Sequence, residues 1–126
     1  MTPDDRRYTS QHQWVLGSTD GLSLVGITDF AQAQLGEIEY VELPEEGETL
    51  EEGEPYGVVE SSKSSSDLFT PFHLEVVAIN PATEADPSVV NTDPYGAGWL
   101  LRVRPVEADA YDRLLTAADY VELVGE

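Results

Sequence analysis

Lys63 is the only lysine in a chain of 126 residues; the other five basic residues are Arg6, Arg7, Arg102, Arg104 and Arg113. A guanidinium stays protonated and is a poor nucleophile, whereas an ε-amine can lose its proton and form an amide. A charge partner would be served as well by arginine, so a lone lysine leaves two readings, an acylation site or a surface residue that survived by chance in an acid-biased composition. Its neighbours fit the first. Ser61, Ser62, Ser64, Ser65 and Ser66 are small and leave room for a modifying enzyme to close around the amine. They are read as accessories, because no histidine and acid stand near them in the pattern of a nucleophile elbow.

Other chemistry finds little support. His12 and His73 are the only histidines, and neither has metal-ligand spacing with the other or with a carboxylate cluster. No Gly-rich phosphate loop is present. The acidic run Glu45 to Glu54 lacks the spacing of a calcium loop and reads as a solvated, docking face. Catalytic and metal-binding residues are therefore expected to be absent, and the chain is not expected to be an enzyme.

Composition narrows the partners. The formal net charge is -19, from 25 acids against six bases. That charge would repel phosphate backbones and anionic membranes, so neither nucleic acid nor membrane is expected. No cysteine is present, which removes disulfides and thiolate sites. No apolar run approaches the ~18 residues of a membrane span, and the first residues lack a signal-peptide core. The expectation is a cytoplasmic chain.

The elements that must position Lys63 follow from local signals. Tyr8 to Leu16 and Leu22 to Ile27 predict a β-hairpin around Gly17–Gly21. Thr28 as cap, Asp29 in the first turn and Gly36 as stop predict a short helix near 28–35. Ile38 to Leu43 predicts a strand, and two glycine turns at Gly47 and Gly53 bracket a short segment. Tyr56 to Glu60 and Leu68 to Thr70 predict strands flanking a polar turn, Ser61 to Ser66, with Lys63 at its tip. Leu74 to Ile79 predicts a strand broken by Asn80-Pro81, Pro87 to Val90 a helical turn, and Trp99 to Val103 a further strand. In the tail, Tyr111, Leu114, Leu115, Ala118 and Leu123 lie near helical spacing. Trp14 and Trp99 are expected in strands, as core.

The order Gly47-Glu48, Leu50, Gly53, Pro55 and Gly57-Val58-Val59-Glu60-Ser61-Ser62-Lys63 resembles the lipoyl and biotinyl carrier domains. Methionines, usual on both sides of a biotinylated lysine, are replaced by Ser62 and Ser64. Within that superfamily several segments are similar to the glycine cleavage system H-protein family. They are Tyr8-Thr9, His12-Gln13-Trp14, Val25 to Gln32, Gln34 to Glu37, Val41 to Pro44, Ser66-Asp67-Leu68, Pro71, Glu75-Val76-Val77, Asn80, Val90-Asn91 and Asp93 to Leu100.

The resemblance implies a mainly β, barrel-sandwich hybrid of two small packed sheets, with C-terminal helical segments. It implies one lipoyl-carrier domain over 1–126, with a core of 8–104 and a helical region of 105–126. It also implies lipoate in amide linkage to Lys63, flanking recognition by Glu60, Ser61, Ser62, Ser64 and Asp67, and arm docking on a surface with His12 and Gln13.

The implied function is to shuttle the aminomethyl group of glycine on a lipoyl-lysine between a glycine decarboxylase (P protein) and an aminomethyltransferase (T protein). Reoxidation would come from dihydrolipoyl dehydrogenase (L protein), and the arm from lipoate ligase or an octanoyl/lipoyl transferase. Two departures stand out. The family usually places Glu where this chain has Gln13, and a turn glycine where it has Leu74. They keep open a lipoate-binding carrier of another pathway, such as bacterial sulfur oxidation, or of lipoate relay. A non-covalent interaction module is the contrasting class.

Overall fold

The computed structural model describes residues 2–18 and 20–125. Its strands are β1 (Arg7–Tyr8), β2 (Gln13–Gly17), β3 (Ser23–Ile27), β4 (Ile38–Glu42), β5 (Thr49–Leu50), β6 (Pro55–Ser61), β7 (Ser65–Phe69), β8 (Leu74–Ile79) and β9 (Leu101–Pro105). The helices are α1 (Asp29–Leu35), α2 (Pro81–Ala85), α3 (Val89–Thr92) and α4 (Ala117–Val124). The strands form two antiparallel sheets, of order β1-β2-β3-β9-β8-β5 and β4-β6-β7. The fold is thus mainly β with two packed sheets, as the sequence led us to expect, and neither sheet closes into a barrel.

Period-two alternation decides which side chains meet between the sheets. Val15, Val25, Ile27, Val76, Leu101 and Val103 of the large sheet and Val41, Val59 and Leu68 of the small one share one buried cluster. The other face of the large sheet is covered by the tail. There Trp14 crosses from Gly26, where any Cβ would lie 2.5 Å from its ring, and its indole N–H donates to Pro94 O at 2.9 Å. Tyr120 of α4 stacks on Tyr8 with ring centroids 4.8 Å apart. Such an aromatic pair adds about 0.5–1.5 kcal/mol beyond its area.

α1 forms as its signals predict. The Thr28 hydroxyl caps Ala31 N–H at 3.2 Å, and Gly36, at φ +83°, ends the helix with its N–H on Gln32 O. The repeated Glu-Glu-Gly-Glu segments are twin turns. In each, the fourth Glu accepts the backbone N–H of the first, and the glycine takes positive φ.

Elsewhere long-range packing overrides the local pattern. Tyr8 to Leu16 is not one strand: the chain turns at Thr9–His12, and only Gln13 onward joins β2. Asn80-Pro81 does not merely end β8 but starts α2, since Asn80 accepts Ala82 N–H and Pro81 needs no donor in a first turn. The predicted turn Pro87–Val90 is α3, shifted to Val89–Thr92. Trp99 precedes β9 and is half-buried rather than core, with Arg102 over its ring.

In the tail, Tyr111–Arg113 is one 3₁₀ turn, and α4 restarts at a capping box on Thr116. The restart breaks the spacing read from Tyr111. Tyr120 is the buried residue of α4, while Ala118 and Leu123 are exposed. Leu74 needs no turn conformation: it is a fully buried strand residue paired with Leu50 and Pro105, and its φ is not positive.

Candidate functional site

β6 and β7 converge on Lys63. Glu60 pairs with Ser65, and Ser61 N–H donates to Ser64 O at 2.8 Å, so only Ser62, Lys63 and Ser64 round the tip. β7 starts at Ser65, inside the run read from sequence as turn. The strands therefore hold the base of the turn while the lysine projects, exposed. Its stem lies back along Gly36: a Cβ there would stand 2.8 Å from Lys63 Cε and 3.3 Å from Nζ.

Each arginine is engaged by the fold. Arg6 holds Asp5 and Tyr95 O beneath the Trp14 ring, and Arg7 holds Asp112 O and Leu114 O. Arg104 pairs with Glu75 at 2.6 Å, Arg113 with Glu107 at 2.7 Å, and Arg102 covers Trp99. Among the described residues Lys63 alone of the side-chain cations has no hydrogen bond, ion pair or ring contact.

Beside the hairpin runs a groove of about 440 Å³, between Gln11, His12, Phe30 and Gln34 on one side and Ser64, Ser65 and Ser66 on the other. His12 sits at its end in a left-handed conformation, φ +66°. Its ring lies 4.7 Å from that of Phe30, and its Nδ1 is 2.8 Å from the Tyr120 hydroxyl, which in turn meets the Thr28 hydroxyl at 2.8 Å. Burial lowers His12 below the ordinary imidazole pKa, favouring the neutral ring. A second groove, of about 380 Å³, reaches Arg113, whose guanidinium is already committed to Glu107, Asp109 and Glu52.

The predicted site residues divide. Glu60, Ser62, Ser64 and Asp67 are exposed around the tip and Ser61 is half-buried. His12 lines the groove. Gln13 does not share that surface. It is 1% exposed, because alternation along β2 turns it to the same side as Val15, into the core. There its amide N–H donates to Phe69 O at 2.6 Å and its oxygen accepts from the Tyr56 hydroxyl at 2.6 Å. A neutral amide serves both partners where a carboxylate would face the Phe69 carbonyl with no donor.

Three positioning residues escaped the sequence reading. Tyr56 completes the Gln13 pair, and Tyr120 orients His12. Asn91 accepts Ile38 N–H at 2.8 Å and donates to Gly36 O and Gln32 Oε1, both at 2.9 Å. That clamp fixes the turn between α1 and β4 on which Lys63 rests. Asn91 stood among the residues similar to the family, but nothing local showed its positioning role.

No hydrolytic or metal centre is assembled among the described residues. His73 lies 3.3 Å from Glu51, and no group of three or more His, Cys, Asp or Glu converges. The arrangement can present an amine and shelter what the amine carries.

The chain matches the family model described as glycine cleavage H-protein over residues 6–126. It is 49% identical over 118 residues to the glycine cleavage system H protein of Psychrobacter sp., covering 94% of each chain. Identity is 48% over 122 residues to that of a Thermus thermophilus strain, covering 97% of this chain and 94% of the relative. The crystal structure of a glycine cleavage system H protein from Mycobacterium marinum superposes with a TM-score of 0.90 at 44% identity, over 98% of this chain and 99% of that one.

Proposed function

Since the chain belongs to the glycine cleavage H-protein family, we propose that Lys63 is its lipoyl attachment point and the groove beside it the resting place of the arm. The chain is a non-catalytic lipoyl carrier of the glycine cleavage system and works with the P, T and L proteins. The single observation that carries the assignment to Lys63 is its isolation: the sole lysine, at a hairpin tip, exposed, and unpartnered among the described residues while every arginine is held.

The residues suit a covalent arm. The amine is clear of carboxylate partners, and the groove next to it, about 440 Å³ and lined from Ser64 to His12, offers room for an arm. When bound, the lipoyl group supplies a reducible disulfide that accepts the aminomethyl unit of glycine. Around it, the small serines admit a lipoate ligase or an octanoyl/lipoyl transferase, with Glu60, Ser61, Ser62, Ser64 and Asp67 as the flanking recognition residues. His12, pinned through Nδ1 by Tyr120, lines the groove, and its lowered pKa favours the neutral ring. We place the protein in the cytoplasm; among the described residues no helix is long and apolar enough to cross a membrane.

Intact mass after incubation with lipoate ligase, ATP and lipoate tests the assignment. Wild type gains one lipoyl group and Lys63→Arg gains none. A wild type without mass gain, or a modified Lys63→Arg, sinks it.

A further inference from the structure

The small sheet turns Val41, Val59 and Leu68 into the core and sends the intervening side chains to the opposite face. Its register sets Tyr40 across from Glu60 and Glu60 across from Ser65; one step on, Glu42 faces Val58 and Val58 faces Asp67. The result is a face three strands wide that runs straight into the turn bearing Lys63. Tyr40 is 49% exposed and, among the described residues, is the only aromatic side chain in the exposed class. Glu42, Glu60, Ser65 and Asp67 around it are exposed too.

The acids that make ion pairs, Asp5, Glu51, Glu52, Glu75, Glu107 and Asp109, all lie off this face. No lysine or arginine occurs between Tyr8 and Ser62, and Lys63 loses its charge once acylated, so in the loaded carrier nothing nearby in sequence offsets Glu42 and Glu60. An exposed ring among unpaired carboxylates is complementary to guanidinium and ammonium groups. Arginine can stack on the ring and bond a neighbouring carboxylate in the same contact.

Resting on the carrier reading above, we infer that this face is the docking surface for the enzyme that loads the arm, through a basic rim at the mouth of the cavity the arm enters. Tyr40 is the anchor. Glu42, Glu60 and Asp67 steer approach and fix register. Because the face and Lys63 share strands β6 and β7, docking and arm insertion occur together. The face meets the groove only at Ser65; the rest of the groove lies toward α1.

The test uses fully lipoylated protein, verified by intact mass, with glycine decarboxylase of the same organism, and follows bicarbonate exchange into glycine. Tyr40→Ala raises KM for the carrier about 10-fold with kcat nearly unchanged, the loss expected of an aromatic anchor. For wild type KM climbs with salt; for Glu42→Gln/Asp67→Asn, which leaves Glu60, it starts higher and climbs less steeply. Glu122→Gln, on exposed α4, leaves both unchanged. Tyr40 and Glu42 are exposed, so circular dichroism should show intact folds. Wild-type KM values in Tyr40→Ala and in the charge pair overturn the docking face alone. Failure of wild type to take up lipoate overturns the carrier reading with it, and lipoylated wild type without exchange overturns both the pathway and the face.

Discussion

Replacing Gln13 with Glu exchanges one buried amide nitrogen for an oxygen, at a site whose two partners make opposite demands. Gln13 is 1% exposed and satisfies an acceptor, Phe69 O, and a donor, the Tyr56 hydroxyl, each at 2.6 Å. A carboxylate keeps the Tyr56 bond but turns its second oxygen on the Phe69 carbonyl. Only the protonated acid donates there, so the folded state binds a proton that the unfolded chain releases at pH ~4.3. Burial alone raises a carboxyl by up to ~3–5 pH units, and the tyrosine bond to the charged form takes back about one. A net rise of ~2–3 pH units corresponds to about 3–4 kcal/mol.

The folded pKa being raised, stability is intact below pH ~4.3, falls as pH climbs through the window, and is lowest above the folded value of ~7. Urea unfolding of wild type and Gln13→Glu at pH 5 and pH 8 reads this directly. The difference between the two proteins should be about 1 kcal/mol at pH 5 and about 3–4 at pH 8. A pH-independent difference, or a variant as stable as wild type at pH 8, refutes the placement of Gln13 in a two-partner core site.

Asn91→Ala removes the acceptor of Ile38 N–H and the donor to Gly36 O, and should cost about 2–3 kcal/mol, read as a lower Tm in thermal melts. His12→Asn keeps a residue tolerant of the left-handed backbone but deletes a group whose pKa burial lowers. The His12 contribution is whole above its unfolded value of ~6.5 and is lost as pH falls toward the depressed folded one. The Tm of wild type minus that of His12→Asn should therefore shrink between pH 8 and pH 5; a constant difference would speak against a buried neutral ring.

What could be read from sequence was what neighbours in the chain decide. The Thr28 cap and the Gly36 stop sit at the ends of the helix they define, and Lys63 sits between two strands whose pairing its own turn sets. Both were legible. Gln13 was placed on the surface because its partners, Tyr56 and Phe69, lie 43 and 56 residues away. The Asn91 clamp spans 53 to 59 residues and the Tyr120 contact to His12 spans 108, beyond any local periodicity. Leu74 illustrates the same limit: lacking glycine, it suggested a changed turn, but the strand simply continues and the side chain fills core.

The isolation of Lys63 has a consequence for specificity of another kind. With one side-chain amine on the whole surface, selectivity of modification is secured by exclusion: no reagent or acyltransferase can be distracted to a second lysine. The same economy removes redundancy. Any competing acyl donor that reaches the hairpin tip, whether enzymatic or a reactive metabolite, occupies the one position the carrier needs, and each such event silences a whole molecule. An amine-directed probe used at a pH where Lys63 reacts would likewise report the unmodified fraction of the pool from a single side-chain site.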